Sequence, residues 1–284
     1  MTDTNLESLY QEVLDRVLEN DFHLPSMPDI AMKVRSAITK DITTVDSLTE
    51  IIARDPSLTA YLVQAASSPV FRRAVAPKTL SDVIGLLGFS STSSMVMVYS
   101  MKEMVEITDP EAKALFQETW DRLVVKTSIA SFLAQKLKFH PVDHVQMAML
   151  LTEVGSLAVL GAMLQESARP DTELYFQMCR QYSKKIGTAV LHKWKVDEEI
   201  ANTQTDCGDW NKTWGDKPCL LDIANLALYY TVLFTVDNPT LPEIESLAAY
   251  QKIPEDMRSC SEPNWLDLIS ENKDSIKEII SAFK

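Results

Sequence analysis

The chain has 284 residues, with 27 Lys and Arg against 40 Asp and Glu, and so a formal charge of -13. Such acidity argues against duplex nucleic acid and anionic membrane surfaces, whose binding draws on basic side chains. An apolar fraction of 46% excludes wholesale disorder. Only 7 glycines are present, which disfavours nucleotide-cradling loops, β-sandwiches and doubly wound sheets, since all of these use glycine at tight turns. Cys179, Cys207, Cys219 and Cys260 are widely spaced with no C-x-x-C pair, the pattern of reduced thiols in a cytosolic protein. The first residues carry no basic region followed by an apolar one, so no secretory signal and a cytoplasmic location are expected.

Helical period dominates from the start. Leu6, Leu9, Tyr10, Val13, Leu14, Val17 and Leu18 form one apolar stripe of an amphipathic helix. Pro25 and Pro28 break the chain, and Ile30, Val34, Ala37 and Ile38 mark a second helix. Ser47-Leu48-Thr49-Glu50 has the form of a capping box, and Asp55-Pro56 opens the next helix with an N-cap and a first-turn proline. Thr79 to Asp82 resembles another box, with Gly88 as the stop. The Met-rich run Ser90–Val105 reads as core filler. Pro110 starts a helical stretch leading into Trp120, and further helices are expected over about 120–138, 143–164, 171–186, 187–195, 197–206, 219–236 and 264–283. Met147 to Leu164 is nearly long enough to span a bilayer, but Glu153 inside it favours a buried core helix. No run alternates with period two, so no sheet is expected.

The expected architecture is all-α and two-lobed. Residues 1–20 form an N-terminal amphipathic helix and 21–236 the main domain, with lobes of about 21–109 and 110–236 divided near Thr108-Asp109-Pro110. A less ordered, Pro- and Glu-rich connector from Asp237 to about Pro263 then leads to a C-terminal helix, so that 237–284 is an extension. The chain has no Gly-x-Ser-x-Gly elbow, phosphate-binding loop or H-E-x-x-H. His140-Pro-Val-Asp-His144 gathers two imidazoles and Asp143 in one short span, but Pro141 sits where a helix would begin, so a polar loop competes with a metal site. His192, beside Lys193 and Lys195, reads as a solvated helix face.

Several segments, taken in order, resemble the HDOD domain, a family of bacterial signalling modules related to the HD metal-dependent phosphohydrolases. They are Leu24-Pro25-Ser26-Met27-Pro28, Asp55-Pro56-Ser57-Leu58-Thr59, Ala65-Ala66-Ser67-Ser68 and Asp82 through Gly88. The likeness continues through Trp120 with Ala130, Leu133 and Ala134, then Leu150-Leu151-Thr152-Glu153-Val154-Gly155, then Gly187 through Leu191 to Trp194. It covers roughly residues 20–235. It implies an N-terminal HDOD lobe packed on a degenerate HD-like lobe.

An HD enzyme holds its metal with a histidine, an adjacent His-Asp pair and a distant aspartate. Carried onto this chain, those positions become Arg122, Thr152-Glu153 and Asn225, and no histidine anywhere is followed by aspartate. The resemblance therefore implies a vestigial pocket with no metal and no cofactor. Glu153, on an apolar helix, must pair or take up a proton; Arg122 is the expected partner, with a solvent-facing Glu153 as the alternative. Trp210 and Trp214, in the polar loop Thr203 to Pro218, are either lid residues folded on the core or a partner-docking pair.

The function implied is a non-catalytic signal-transduction adaptor. It meets other signalling proteins in trans, near two-component or cyclic-dinucleotide circuits, since nearly the whole length is taken up by the helical module and no attached receiver, kinase or GGDEF-type domain is expected. Two alternatives stand beside it. One is a sensor that holds a nucleotide or other small anion in the vestigial pocket, with Arg122 as its phosphate contact. The other is a residual metal-dependent phosphohydrolase, with His140, Asp143 and His144 as candidate ligands.

Overall fold

A computed structural model describes residues 29–38, 43–66, 77–103, 109–139, 141–165 and 172–255, together with Ser8, Gln11 and Ile107. The helices expected over Leu6–Leu18 and 264–283 lie essentially outside the described residues. Every regular element among the described residues is helical, as the periodicity requires.

One compact unit holds α1 (Asp29–Ile38), α2 (Val45–Ile52), α3 (Pro56–Ala66), α4 (Leu80–Leu87) and α5 (Phe89–Glu103). Its start signals are local. The expected box at Ser47 to Glu50 is shifted by one turn: Thr44 is the N-cap and Ser47 occupies the third helical position, each bonding the other's backbone N–H. The physical reason is that the helix already begins at Val45, so Ser47 lies inside the first turn and its hydroxyl points back to the cap. Asp55 caps α3 as expected, accepting from Ser57 N and Leu58 N. Thr79 and Asp82 form the expected box, and Gly88 closes α4 with φ 79°. Leu48, Ile52, Leu58, Leu62, Ile84, Met95 and Met97 are fully or almost fully buried, so these two methionines of the Met-rich run are core.

The other unit holds α6 (Pro110–Lys136), α7 (Val142–Leu151), α8 (Val154–Gln165), α9 (Thr172–Lys193), α10 (Glu198–Asp206), α11 (Leu220–Thr235) and a short α12 (Ala248–Gln251). Asp109 caps α6 through Ala112 N, with Pro110 in the first turn. Two expectations are corrected here. The single helix expected over 143–164 is broken by a turn at Thr152-Glu153, because the Thr152 hydroxyl turns back to donate to Met149 O at the end of α7. The two helices expected over 171–195 are one. Gly187 ends nothing; it lets α8 and α9 touch, lying against Gly155 N, while a Cβ at Gly155 would collide with the Ser183 carbonyl oxygen.

His144–Leu164 is apolar and long enough to cross a membrane by length and composition, with mean hydropathy 1.8, but 72% of its apolar window is buried in the protein. Residues 237–255 are more ordered than a loose connector. Leu247, Ala249 and Ile253 are buried, Tyr229 Oη donates to Pro242 O, and Lys252 Nζ meets Asp222 Oδ2 at 3.0 Å. Burial of these apolar residues outweighs the local Pro and Glu content.

Candidate functional site

Thr119, Arg122 and Lys126 recur at i, i+3 and i+7 along α6 and therefore share one face. Opposite them, the turn that ends α7 places Glu153 at the cap of α8, where its carbonyl accepts from Leu157 N. Ser156 lies one helical turn further on. From α9 come Tyr175, Phe176 and Cys179.

These side chains form one largely buried network. Lys126 Nζ donates to Glu153 Oε1 at 2.7 Å, with the lysine side chain 4% exposed and the glutamate 19%. Ser156 Oγ donates to the other carboxylate oxygen at 2.9 Å. Burial by itself pushes the Glu153 carboxyl up; the Lys126 charge and hydrogen bond, the Arg122 charge and the Ser156 hydroxyl outweigh it, so the group sits below its ordinary value. The expected Arg122–Glu153 pair is thus corrected. Lysine, one turn further along α6, takes the carboxylate, and the Arg122 guanidinium lies over the Phe176 ring at 5.9 Å from its centroid.

The other polar members are occupied or inert. Thr119 Oγ1 and Tyr175 Oη share a hydrogen bond of 2.8 Å. Burial pushes the Cys179 thiol up to about 11, against hydrogen bonds from Tyr175 and Ser156, and burial also raises Cys207. Neither thiol is poised as a nucleophile.

The four residues singled out from the sequence do not converge as one ligand set. Arg122 and Glu153 are neighbours. The Thr152 hydroxyl caps its own helix. Asn225, fully buried, is spent on the turn after α10: its Nδ2 donates to Asp209 O at 3.1 Å and its Oδ1 accepts from Gly208 N at 2.7 Å. Gly208 has φ 91° there, a backbone conformation that other residues adopt at a cost. A divalent cation needs lone pairs from imidazole or carboxylate. This site offers two cationic side chains and one carboxylate already bonded at both oxygens, so the residues do not fit a metal ion.

His144 Nε2 lies 3.3 Å from Glu199 Oε2 near the surface, while His140 and the Asp143 side chain are outside the described residues. Among the described residues no group of three or more His, Cys, Asp or Glu could hold a metal. Both loop tryptophans are half-buried. Trp214 Nε1 donates to Asp206 Oδ2 at 2.8 Å, and Trp210 meets the Tyr229 ring edge-on with centroids 6.0 Å apart.

Lys126, Ser156 and the Tyr175–Cys179 pair were not among the sequence candidates. Lys126 carried a readable signal, a lone charge among Val124, Val125, Thr127, Ser128 and Ile129, one turn from Arg122.

Solved structures share the fold. A protein from Shewanella amazonensis SB2B, provisionally classed as a metal-dependent phosphohydrolase, superposes with TM-score 0.75 at 20% identity, covering 99% of this chain and 100% of the other. An HDOD domain protein of unknown function from Geobacter sulfurreducens gives 0.69 at 19%, covering 99% and 97%. A protein from Marinobacter aquaeolei VT8, provisionally classed in signal transduction, gives 0.65 at 15%, covering 99% and 66%. No curated protein matches the chain in sequence. The HDOD domain profile matches residues 24–206, more than half of the chain. With that match and the all-helical fold, the chain belongs to the HDOD domain family.

Proposed function

We propose that the chain is a non-catalytic signal-transduction adaptor of HDOD type that works in the bacterial cytoplasm through protein–protein interaction. Its partners are other signalling proteins met in trans, in two-component or cyclic-dinucleotide circuits, with neither nucleic acid nor membrane as a partner. The observation that carries this reading is the Lys126–Glu153 ion pair. In the family resemblance Glu153 stands where an HD enzyme places a metal-binding aspartate. Here a buried ammonium neutralises that carboxylate, and with Arg122 beside it the local field is positive. A divalent ion would have to displace the lysine and face the arginine.

The adaptor reading gives Arg122, Thr152, Glu153 and Asn225, the vestigial-pocket positions of the family resemblance, separate structural roles. It gives Trp210 and Trp214, both half-buried, the role of partner contact through the part of each indole that stays exposed. The test is covalent capture in the native bacterium with the full chain as bait, alongside phosphomonoesterase and phosphodiesterase assays with magnesium and manganese. The expected result is enrichment of receiver, kinase or GGDEF-containing proteins, reduced in a Trp210→Ala/Trp214→Ala variant, and no hydrolysis above the blank. Metal-dependent turnover that disappears on Glu153→Gln would overturn it.

A further inference from the structure

The larger unit carries two oppositely charged surfaces beside one turn. The basic one is on α9. No acidic residue stands between Glu173 and Asp197, and Arg180, Lys184 and Lys185, at i, i+4 and i+5, share one exposed face of that helix. The other surface lies at the end of α11. No lysine or arginine stands between Lys217 and Lys252, while Asp237, Glu243 and Glu245 are exposed. Phe234 and Val236 end this helix in the open, 41% and 45% exposed, two of only four large apolar side chains so placed among the described residues.

The acidic and apolar groups belong together. Burial pushes the Tyr229 phenol up and the Glu243 and Glu245 charges push it further, so these carboxylates border an aromatic row running from Trp210 through Tyr229 and Tyr230 to Phe234. The turn after α10 joins this row to the basic face. A Cβ at Gly208 would lie 3.4 Å from Lys184 Nζ and 3.3 Å from Leu228 of α11, and Trp210 follows two residues later. The carboxylates of the turn itself are engaged within it, Asp206 by Trp214 Nε1 and Lys212, and Asp209 by Asn211 N.

A surface with a positive half and an acidic, apolar half is complementary to itself. A two-fold axis beside the turn sets the α9 cations of each chain against the carboxylates of the other, so the same attraction is made twice. The net charge of -13 opposes association, but salt screens that repulsion beyond about 8 Å, and local complementarity decides at contact. Phe234 and Val236 then leave water and give the interface its apolar centre. An anionic polymer would use the α9 face alone and leave both of them bare.

We propose that this face of the larger unit is a self-association surface, on which Arg180, Lys184 and Lys185 of one chain dock against the Phe234–Val236 edge and the Glu243 and Glu245 carboxylates of a second copy. The inference does not rest on the adaptor reading, which a strictly monomeric chain would leave intact.

The test is sedimentation of the purified full chain from about 1 to 100 μM, the weak end of the range for protein interfaces. The mass is expected to rise with concentration from 31.9 kDa toward twice that value, and less so in high salt. Lys184→Glu/Lys185→Glu and Glu243→Lys/Glu245→Lys are each expected to weaken association about tenfold or more alone, since like charges then oppose one another. Mixed in equal amounts the two variants should associate, because their reversed faces match; a misfolded variant cannot give that result. Phe234→Ser/Val236→Ser, which leaves the charge unchanged, is also expected to weaken association about tenfold or more. Lys113→Glu, at an exposed cation on α6, is expected to change it less than about twofold. A chain that stays monomeric throughout overturns the proposal, and covalent capture of a different protein through Phe234 and Val236 would then give the face to that partner. Dimers that persist in both charge-reversed variants, or a mixture of the two folded variants that stays monomeric, also overturn it.

Discussion

Two acid–lysine pairs are buried in the larger unit, and they are built differently. Glu153–Lys126 joins α6 to α8 in the middle of the unit, with Ser156 on the second oxygen and Arg122 as a further cation. Asp222–Lys252 joins the start of α11 to α12. Asp222 Oδ2 also accepts from Cys219 N, while Oδ1, although buried, has no hydrogen-bond partner among the described residues. The first pair is satisfied on both oxygens and lies where whole helices meet. The second fixes the end of the four-residue α12 to the start of α11. A buried pair is therefore worth what its surroundings cannot do without: breaking the first strands a charge inside the unit, while breaking the second can be relieved by local undocking.

The largest effect is expected at the seam that positions the first pair. Gly155→Ala puts a methyl against the Ser183 backbone carbonyl, and neither helix can yield cheaply; a loss of more than about 4 kcal/mol, or failure to fold, is expected in denaturant unfolding. Next is the pair itself. Lys126→Met leaves Glu153 buried without its bonded cation, and Glu153→Gln leaves a buried ammonium, each costing about 3–5 kcal/mol. A Lys126→Met/Glu153→Leu double variant should recover much of that loss, and a double-mutant cycle showing additivity would break the claim of direct coupling. Lys252→Met is expected to cost less, about 1–3 kcal/mol, and to raise hydrogen exchange mainly in 237–255. Last is His144→Ala, which removes a solvent-exposed contact to Glu199 and should shift stability by less than about 0.5 kcal/mol.

The pH dependence sharpens the same comparison. The Glu153 carboxyl sits below its ordinary value of 4.5 in the folded chain, so the unfolded state binds its proton more readily. Its stabilisation is complete above that ordinary value and is lost as pH falls through the lower, folded value. Unfolding free energy measured down through the carboxylate range should fall more steeply for the parent chain than for Glu153→Gln. Equal slopes would contradict the role given to this group.

The helical class, the caps at Asp55, Thr79 and Asp109 and the core character of Met95 and Met97 were legible, because each depends on short spacing. The break at Thr152-Glu153 was not: the apolar period runs on through both helices, and only the Thr152 hydroxyl's turn to Met149 O ends the first. Gly187 reads locally as a helix stop, yet its role is set by Gly155 on another helix. Glu153 was legible as a buried acid needing a cation. The choice between Arg122 and Lys126 depended on which side chain the facing helix lets reach the carboxylate, and Phe176, which holds the arginine, lies on α9 far along the chain. Asn225 enters the sequence reading only through the family resemblance, and its bonds to Gly208 and Asp209 were not legible because that turn is a tertiary neighbour with no sequence link to it.

The central claim is that an ammonium now holds the carboxylate that a metal would need. Manganese titrated into the metal-free full chain at neutral pH, followed by calorimetry and elemental analysis after dialysis, tests it most directly. The expected result is no saturable heat and no retained ion. One manganese per chain, lost on Glu153→Gln and kept on Lys126→Met, would contradict it.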